Sequence, residues 1–237
     1  MMRSLKKMLK ESYLSTFGDI DHLKPQVNLS KSWYGTTYGG FYVLPHLLSS
    51  DSVAYSFGIG KDMSLDRALI EAHGCRVYGF DPTPDSIAWV AKQPSNDRWT
   101  FLPVGIGSRT ETTTFFLPAN PDHVSGSVVA HENVDGARHV EVELMSFADI
   151  LVRYAHRSVD LVKVDIEGSE YEIIADLLRT SPPIGQLLIE FHDRFFDTPE
   201  PRSKSATRLL AKAGYHIFGA AAGFEEISFV HESYLPR

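Results

Sequence analysis

From residue 52 onward the chain alternates two kinds of segment, and that alternation limits its fold more than any other property. Short apolar or β-branched runs read as strands: SVAYSFGIG (52–60), CRVYGFD (75–81), WTFLPVGIG (99–107), VDLVKVDIEG (159–168) and GQLLIEFH (185–192). Between and after them lie segments of helical period, at 62–74, 83–93, 146–156, 169–180 and 203–214. In the first of these Leu65, Leu69 and Ile70 share a face and Gly74 is placed to end the helix. In the second, Thr83 reads as the cap and Pro84 as the first helical residue. Repeated strand–helix alternation requires crossover connections, and so predicts an α/β fold with a mostly parallel sheet and helices on both faces. The last stretch, YHIFGAAAGFEEISFVH (215–231), reads as a hairpin that adds an antiparallel strand at the sheet edge.

Two regions break the rhythm. TETTTFFLP (110–118) and RHVEVELMS (138–146) look like strands separated by a polar insertion. Residues 28–45, NLSKSWYGTTYGGFYVLP, are rich in aromatics, glycine and hydroxyls and read as an ordered loop. The start, MMRSLKKMLKESYL, reads as a basic helix with Leu5, Met8 and Leu9 on one face. It lacks the unbroken apolar core of a signal peptide, and no stretch approaches the roughly 20 apolar residues of a membrane span. The division expected is an N-terminal helix with an aromatic, glycine-rich lid over 1–50, then one domain over 51–237.

The formal net charge of −7 argues against a nucleic-acid backbone as the main partner. The one cysteine, Cys75, allows no intramolecular disulfide and suits a reducing, cytoplasmic setting. No heptad repeat indicates an oligomeric state.

In open sheets of this kind the ligand lies beyond the carboxyl ends of the strands. The first strand ends in Ser56, Phe57, Gly58, Ile59, Gly60, a turn whose glycines let backbone approach a ligand closely. Asp81 closes the second strand roughly 20 residues on, where a carboxylate accepts hydrogen bonds from a ribose diol. The other reading of Asp81 is an acid capping the following helix. The third glycine position of a dinucleotide fingerprint is Met63, and no phosphate-loop motif follows Lys61. A cofactor with ribose and adenine but no phosphates fits better, and S-adenosylmethionine is such a molecule.

YSFGIGKDMSLDRALI, VYGFDPTPDSI and LVKVDIEGSEYEII together resemble the FkbM family of S-adenosylmethionine-dependent methyltransferases, over roughly residues 33–231. The resemblance implies a Rossmann-like class I methyltransferase fold of seven strands and methyl transfer to a hydroxyl, commonly of a sugar or natural product. Carried onto this chain, it implies that Phe57, Gly58 and Gly60 line the methionine part of the cofactor. Asp81 would bind the ribose, with Pro82 and Thr83 beside the adenosine, and Val104, Gly105 and Ile106 would border the adenine. Ser56 departs from the acid that usually opens the glycine motif in this fold, which leaves Asp62 or Asp165 to meet the cofactor's ammonium.

The fourth strand ends in a cluster of acids, Asp165, Glu167 and Glu170. Carboxylates at the mouth of a buried strand need a cationic or hydrogen-bonding partner. A sulfonium cofactor and a polyhydroxylated acceptor would supply one. Methyl transfer is an in-line displacement in which the attacking alcohol loses its proton, so the site needs positioning and a base. Glu190 and His192 project to the same side of the fifth strand. His192 is the candidate general base, oriented by Asp165 or Glu190; a structural histidine is the equal alternative. Asp165, Glu190 and His192 could instead bind Mg²⁺ or a similar ion. Glu167 and Gly168 read as turn residues, and Ser169 with Glu172 as a capping box.

The insertion at 118–136, with His123, Ser125 and Ser127, and the stretch SWYGTTYGGFY would wall the acceptor site. The reading is an O-methyltransferase acting on a sugar or other small hydroxylated metabolite. A nicotinamide-dependent oxidoreductase and a non-catalytic cofactor- or glycan-binding module are the alternatives.

Overall fold

The computed structural model describes residues 20–118, 134–180 and 182–236. The N-terminal helix expected over 1–14 and the loop residues His123, Ser125 and Ser127 lie outside them. The strands are β1 (Ser32–Tyr34), β2 (Phe41–Val43), β3 (Val53–Phe57), β4 (Arg76–Phe80), β5 (Trp99–Leu102), β6 (Gly105–Gly107), β7 (Glu111–Pro118), β8 (Val134–Ser146), β9 (Leu161–Val164), β10 (Gln186–Glu190), β11 (Tyr215–Ala220) and β12 (Glu226–His231). The α-helices are α1 (Ser64–His73), α2 (Pro84–Val90), α3 (Phe147–Tyr154), α4 (Glu170–Leu177) and α5 (Arg202–Lys212).

Seven strands form one sheet in the order β11-β12-β10-β9-β3-β4-β5. β10, β9, β3, β4 and β5 run parallel, and β12 is antiparallel to both its neighbours. This is the mostly parallel α/β architecture that the alternation predicts. The antiparallel strand is not at the edge, however. β12 inserts between β10 and β11, so the hairpin's first strand, β11, takes the edge. Sequence cannot show this, because either strand of a hairpin can be the inner one.

Period-2 alternation sorts the sheet residues between two faces. Tyr55, Phe57, Val162, Val164, Leu187 and Ile189 point to one face, where α3, α4 and α5 add Ile150, Ile174 and Leu210. Ala54, Leu161 and Leu188 point to the other, against Leu65 and Leu69 of α1 and Phe41, Val43 and Leu44 of the β1–β2 hairpin. The stretch read as a loop thus contributes core residues. Gln186, fully buried, binds it in place: its side-chain oxygen accepts from Leu44 N–H at 2.7 Å and its amide donates to Leu44 O at 3.3 Å.

The run at 99–107 divides. Its first half joins the main sheet and its second half, β6, joins a three-stranded sheet with β8 and β7. Two helix starts also differ from expectation. Thr83 holds the N-cap position of α2, with Pro84 following, but its side chain makes no cap bond. The Ser169–Glu172 capping box does not form: Ser169 Oγ is buried without a partner. The Glu170 carboxylate instead accepts from Gly168 N–H at 2.9 Å, satisfying that turn directly.

Candidate active site

Register brings the site together. Leu102 pairs with Phe80, Phe80 with Phe57, Phe57 with Val164, and Val164 with Ile189. Five parallel strands therefore end level, and the residues that follow, Asp81, Gly58, Asp165 and Glu190, stand side by side. Tight backbone bonds hold the row: Gly58 N–H to Phe80 O at 2.9 Å, and Asp165 N–H to Phe57 O at 3.1 Å.

Gly58 must be glycine. Its φ is +80°, and a Cβ there would lie 1.7 Å from the Asp165 carbonyl oxygen. Gly60, at φ +54°, faces open space. The turn is pressed against the acidic strand end on one side and open to a ligand on the other. Asp81 sits beneath it, with Oδ2 accepting from Gly60 N–H and Oδ1 from Thr83 N–H, both at 2.8 Å. Each oxygen keeps a second lone pair for a diol. Pro82 packs by Gly105, and Val104 and Ile106 are buried beside it.

Phe57 and Ser56 point away from this cleft. Phe57 stacks on Phe80 with centroids 4.7 Å apart. Only their backbone is positioned to meet a cofactor. Ser56 faces the carboxyl of Asp66, a fully buried residue of α1, and favours its charged form. Burial pushes the Asp66 carboxyl up to about 6, against the pull of Lys163 and Ser56. Lys163, across from Ser56 in the register, completes the group. Its ammonium donates to the Gly58 carbonyl and lies 3.1 Å from Asp165 Oδ2. Burial lowers the Lys163 ammonium, but Asp165 and Asp66 outweigh it and hold it above its ordinary value. Asp62, at the mouth, accepts from Thr36 Oγ1 at 2.6 Å and from Ser64 N–H at 2.7 Å.

Beyond β9 and β10 lies the acidic cluster. His192 is completely buried, its ring stacked on Phe195 with centroids 5.0 Å apart. Its Nε2 lies 3.4 Å from Glu167, 3.5 Å from Glu190 and 3.8 Å from Asp165 oxygens, and makes no hydrogen bond. Its Nδ1 lies 3.2 Å from Glu170 Oε1, which also accepts from the His192 backbone N–H at 2.8 Å. The residue orienting His192 is therefore Glu170, not Asp165 or Glu190. Glu167 shapes the turn, at φ +52°, and also delivers its carboxylate to the cluster. A non-glycine residue in that region is strained, a feature common at functional sites.

Burial lowers the His192 imidazolium, but the Glu170 bond and the surrounding carboxylates raise it further, to about 9. Burial and the Asp165 charge push Glu190 up to about 9 as well. Negative charge converging on the strand ends is a cause common to both groups. Donor atoms of Asp165, Glu190 and His192 all lie within 4.8 Å of one another, a separation that suits a shared cation. Tyr38, 80% exposed, stands within the electrostatic field of Asp165, Glu167 and Glu190.

Lys163 and Asp66 escaped the sequence reading, which counted Glu170 in the acid cluster but did not pair it with His192. Lys163 had one available signal: a lysine on the buried face of a strand needs an acid opposite it.

A family model described as the methyltransferase FkbM domain matches residues 57–217. A human protein, probable methyltransferase-like protein 24, is 24% identical over 140 residues, covering 58% of this chain and 32% of its own length. This chain thus spans about a third of that relative. Among solved structures, a Methanococcus jannaschii fibrillarin pre-rRNA processing protein superposes with a TM-score of 0.47 at 13% identity, over 80% of this chain and 70% of that one. Aeropyrum pernix fibrillarin, solved with natively bound S-adenosyl-L-methionine, gives 0.39 at 13% identity, over 89% and 85%. A putative methyltransferase from Haloferax volcanii, in complex with its Trm112 activator, gives 0.39 at 14%, over 72% and 64%.

Proposed function

Because the chain belongs to the FkbM methyltransferase family, we propose that it transfers the methyl group of S-adenosylmethionine to a hydroxyl of a sugar or other small hydroxylated metabolite. One observation carries this reading: the glycine turn and the acidic strand end are in direct contact, Gly58 against Asp165. A cofactor seated on the turn presents its sulfonium to the carboxylates.

In this reading Asp81 binds the ribose diol, Pro82, Thr83, Val104 and Gly105 border the adenosine, and the backbone of 56–60 meets the methionine part. Asp62 is the acid left for the ammonium, since Asp165 is already engaged by Lys163. The acceptor enters from the side of the 35–40 segment, where exposed Tyr38 offers a flat apolar face suited to a sugar ring. Its oxygen attacks the methyl carbon in line, the carbon–sulfur bond breaks, and S-adenosylhomocysteine leaves. The sulfonium and ammonium of the cofactor, brought beside the cluster, lower the His192 imidazolium from its raised value, and the neutral ring then takes the hydroxyl proton as the base, within the Asp165, Glu190, His192 group. A divalent ion such as Mg²⁺ held by those three residues would lower the hydroxyl's pKa instead. Buried, unpaired Cys75 supports a reducing, cytoplasmic setting.

The test is calorimetric titration with S-adenosylhomocysteine, repeated on Asp81→Ala. Binding at around micromolar Kd, about 8 kcal/mol, that weakens sharply in the variant supports the cofactor and its ribose anchor together. A panel of glycosides and polyols, read by mass spectrometry for a methyl gain, then tests the acceptor. Absence of any S-adenosylhomocysteine binding would overturn the reading.

A further inference from the structure

We propose that Asp165, Glu190 and His192, joined by Glu167, form a divalent-metal centre that takes an ion of the Mn²⁺ type in preference to Mg²⁺. The catalytic role of such a centre rests on the methyl-transfer reading; binding of the ion does not.

The geometry comes first. Bonds of about 2.0–2.2 Å from one ion to oxygen and nitrogen place its donors up to about 4.4 Å apart. His192 Nε2 is already 3.4, 3.5 and 3.8 Å from the three carboxylates. The three primary donors span at most 4.8 Å, so a few tenths of an ångström of side-chain movement closes the set.

His192 is the second, independent observation. Its Nε2 is wholly buried, aimed into the cluster and without a hydrogen bond. A buried ring nitrogen left this way is costly in a finished site. A metal bond would use its lone pair, the ion displacing the proton that the surrounding carboxylates favour there. The opposite ring nitrogen is held as metal-binding histidines are: Nδ1 faces Glu170, whose other oxygen is fixed by the Gly168 N–H. Asp165 divides its oxygens in the same sense, Oδ2 toward Lys163 and Oδ1 toward His192.

The donor set selects the ion. One imidazole with carboxylates suits Mn²⁺, Fe²⁺, Co²⁺ or Zn²⁺, whereas Mg²⁺ favours all-oxygen sites and keeps much of its water. Three or four protein donors leave positions for water or an acceptor oxygen.

The experiment uses full-length protein freed of metal with a chelator. Mn²⁺ is titrated in, with and without S-adenosylhomocysteine, and free ion is followed by its electron paramagnetic resonance signal. The expected result is one Mn²⁺ per chain, displaced by Mg²⁺ only at about tenfold or greater excess. Glu190→Gln and Glu167→Gln should each weaken binding about tenfold or more while S-adenosylhomocysteine still binds. The proposal is overturned if no Mn²⁺ binds under either condition, or if both variants bind it as the parent does. Cofactor binding without metal binding would leave the methyltransferase reading standing alone; metal binding without cofactor binding would leave the centre and remove that reading.

Discussion

Glu170 grips His192 at two points: a single carboxylate oxygen lies 2.8 Å from its backbone nitrogen and 3.2 Å from its ring Nδ1. The other oxygen accepts from Gly168 N–H, and the side chain is fully buried. Glu170→Gln replaces one acceptor with a donor facing another donor, at a cost of about 1–3 kcal/mol in stability. Because Glu170 positions His192 without reaching the cofactor seat, S-adenosylhomocysteine affinity should stay within about twofold while kcat falls more than tenfold. Urea denaturation, cofactor titration and turnover measure the three effects separately. A fall in cofactor affinity matching the fall in kcat would show a general loss of structure instead.

Gly58→Ala places a methyl group on the Asp165 carbonyl and forces alanine to φ +80°. It should unfold the turn and abolish cofactor binding. Gly60→Ala meets only the backbone preference, since nothing lies near its Cβ, and should cost about 1 kcal/mol. Thermal melts and cofactor titration of the two variants side by side check the contrast.

Lys163→Met strips the buried cation from between Asp165 and Asp66. The expected loss is about 3–5 kcal/mol, the range seen when one partner of a buried pair is removed. Much of it should return in Lys163→Met/Asp165→Asn, which removes the orphaned charge as well. Chemical denaturation of the double-mutant cycle gives the coupling; strictly additive effects would rule the pairing out.

The pH dependence of stability carries a signature of Asp66. Its folded pKa is raised from 3.8 to about 6. The neutral form is thus favoured in the fold, so its contribution is full below about pH 4 and is lost as pH rises through about 6. Asp66→Asn stays neutral throughout. The stability of the parent relative to this variant should fall between pH 4 and 7, by on the order of 2–3 kcal/mol. Denaturation midpoints of both proteins across that window test the sign.

Tyr38→Ala should raise the acceptor KM several-fold and leave melting temperature and cofactor affinity unchanged, because the ring is 80% exposed and packs on no core residue cluster. Steady-state kinetics with a methylated acceptor decide it.

The sheet and its strand ends were readable because each parallel strand carries its own local period and its own terminal glycine or acid. Asp81, Asp165, Glu190 and His192 all lie at the strand ends where the sequence put them. What escaped is non-local. Glu170 looks like an ordinary helix-opening acid until His192, far along the chain, comes to rest on it. Lys163 sits in a hydrophobic strand with no hint that Gly58 and Asp66 complete its surroundings. The order β10-β12-β11 is a pairing between segments far apart in the chain, and a hairpin's local pattern does not say which of its strands lies inside.

The inward position of β12 has a consequence for the chain as it is made. Glu190 pairs with Glu226, and Gln26 and Val27 bond to Ile217. Translation runs from the other end, so the strand bearing Glu190 waits with one flank bare until residues 226–231 emerge. The earliest segment likewise has no dock until β11 exists. A nascent polypeptide therefore holds every acid of the cluster long before it holds the cluster. The strand that ends in Glu190 is held on both flanks only once β12 has paired with it.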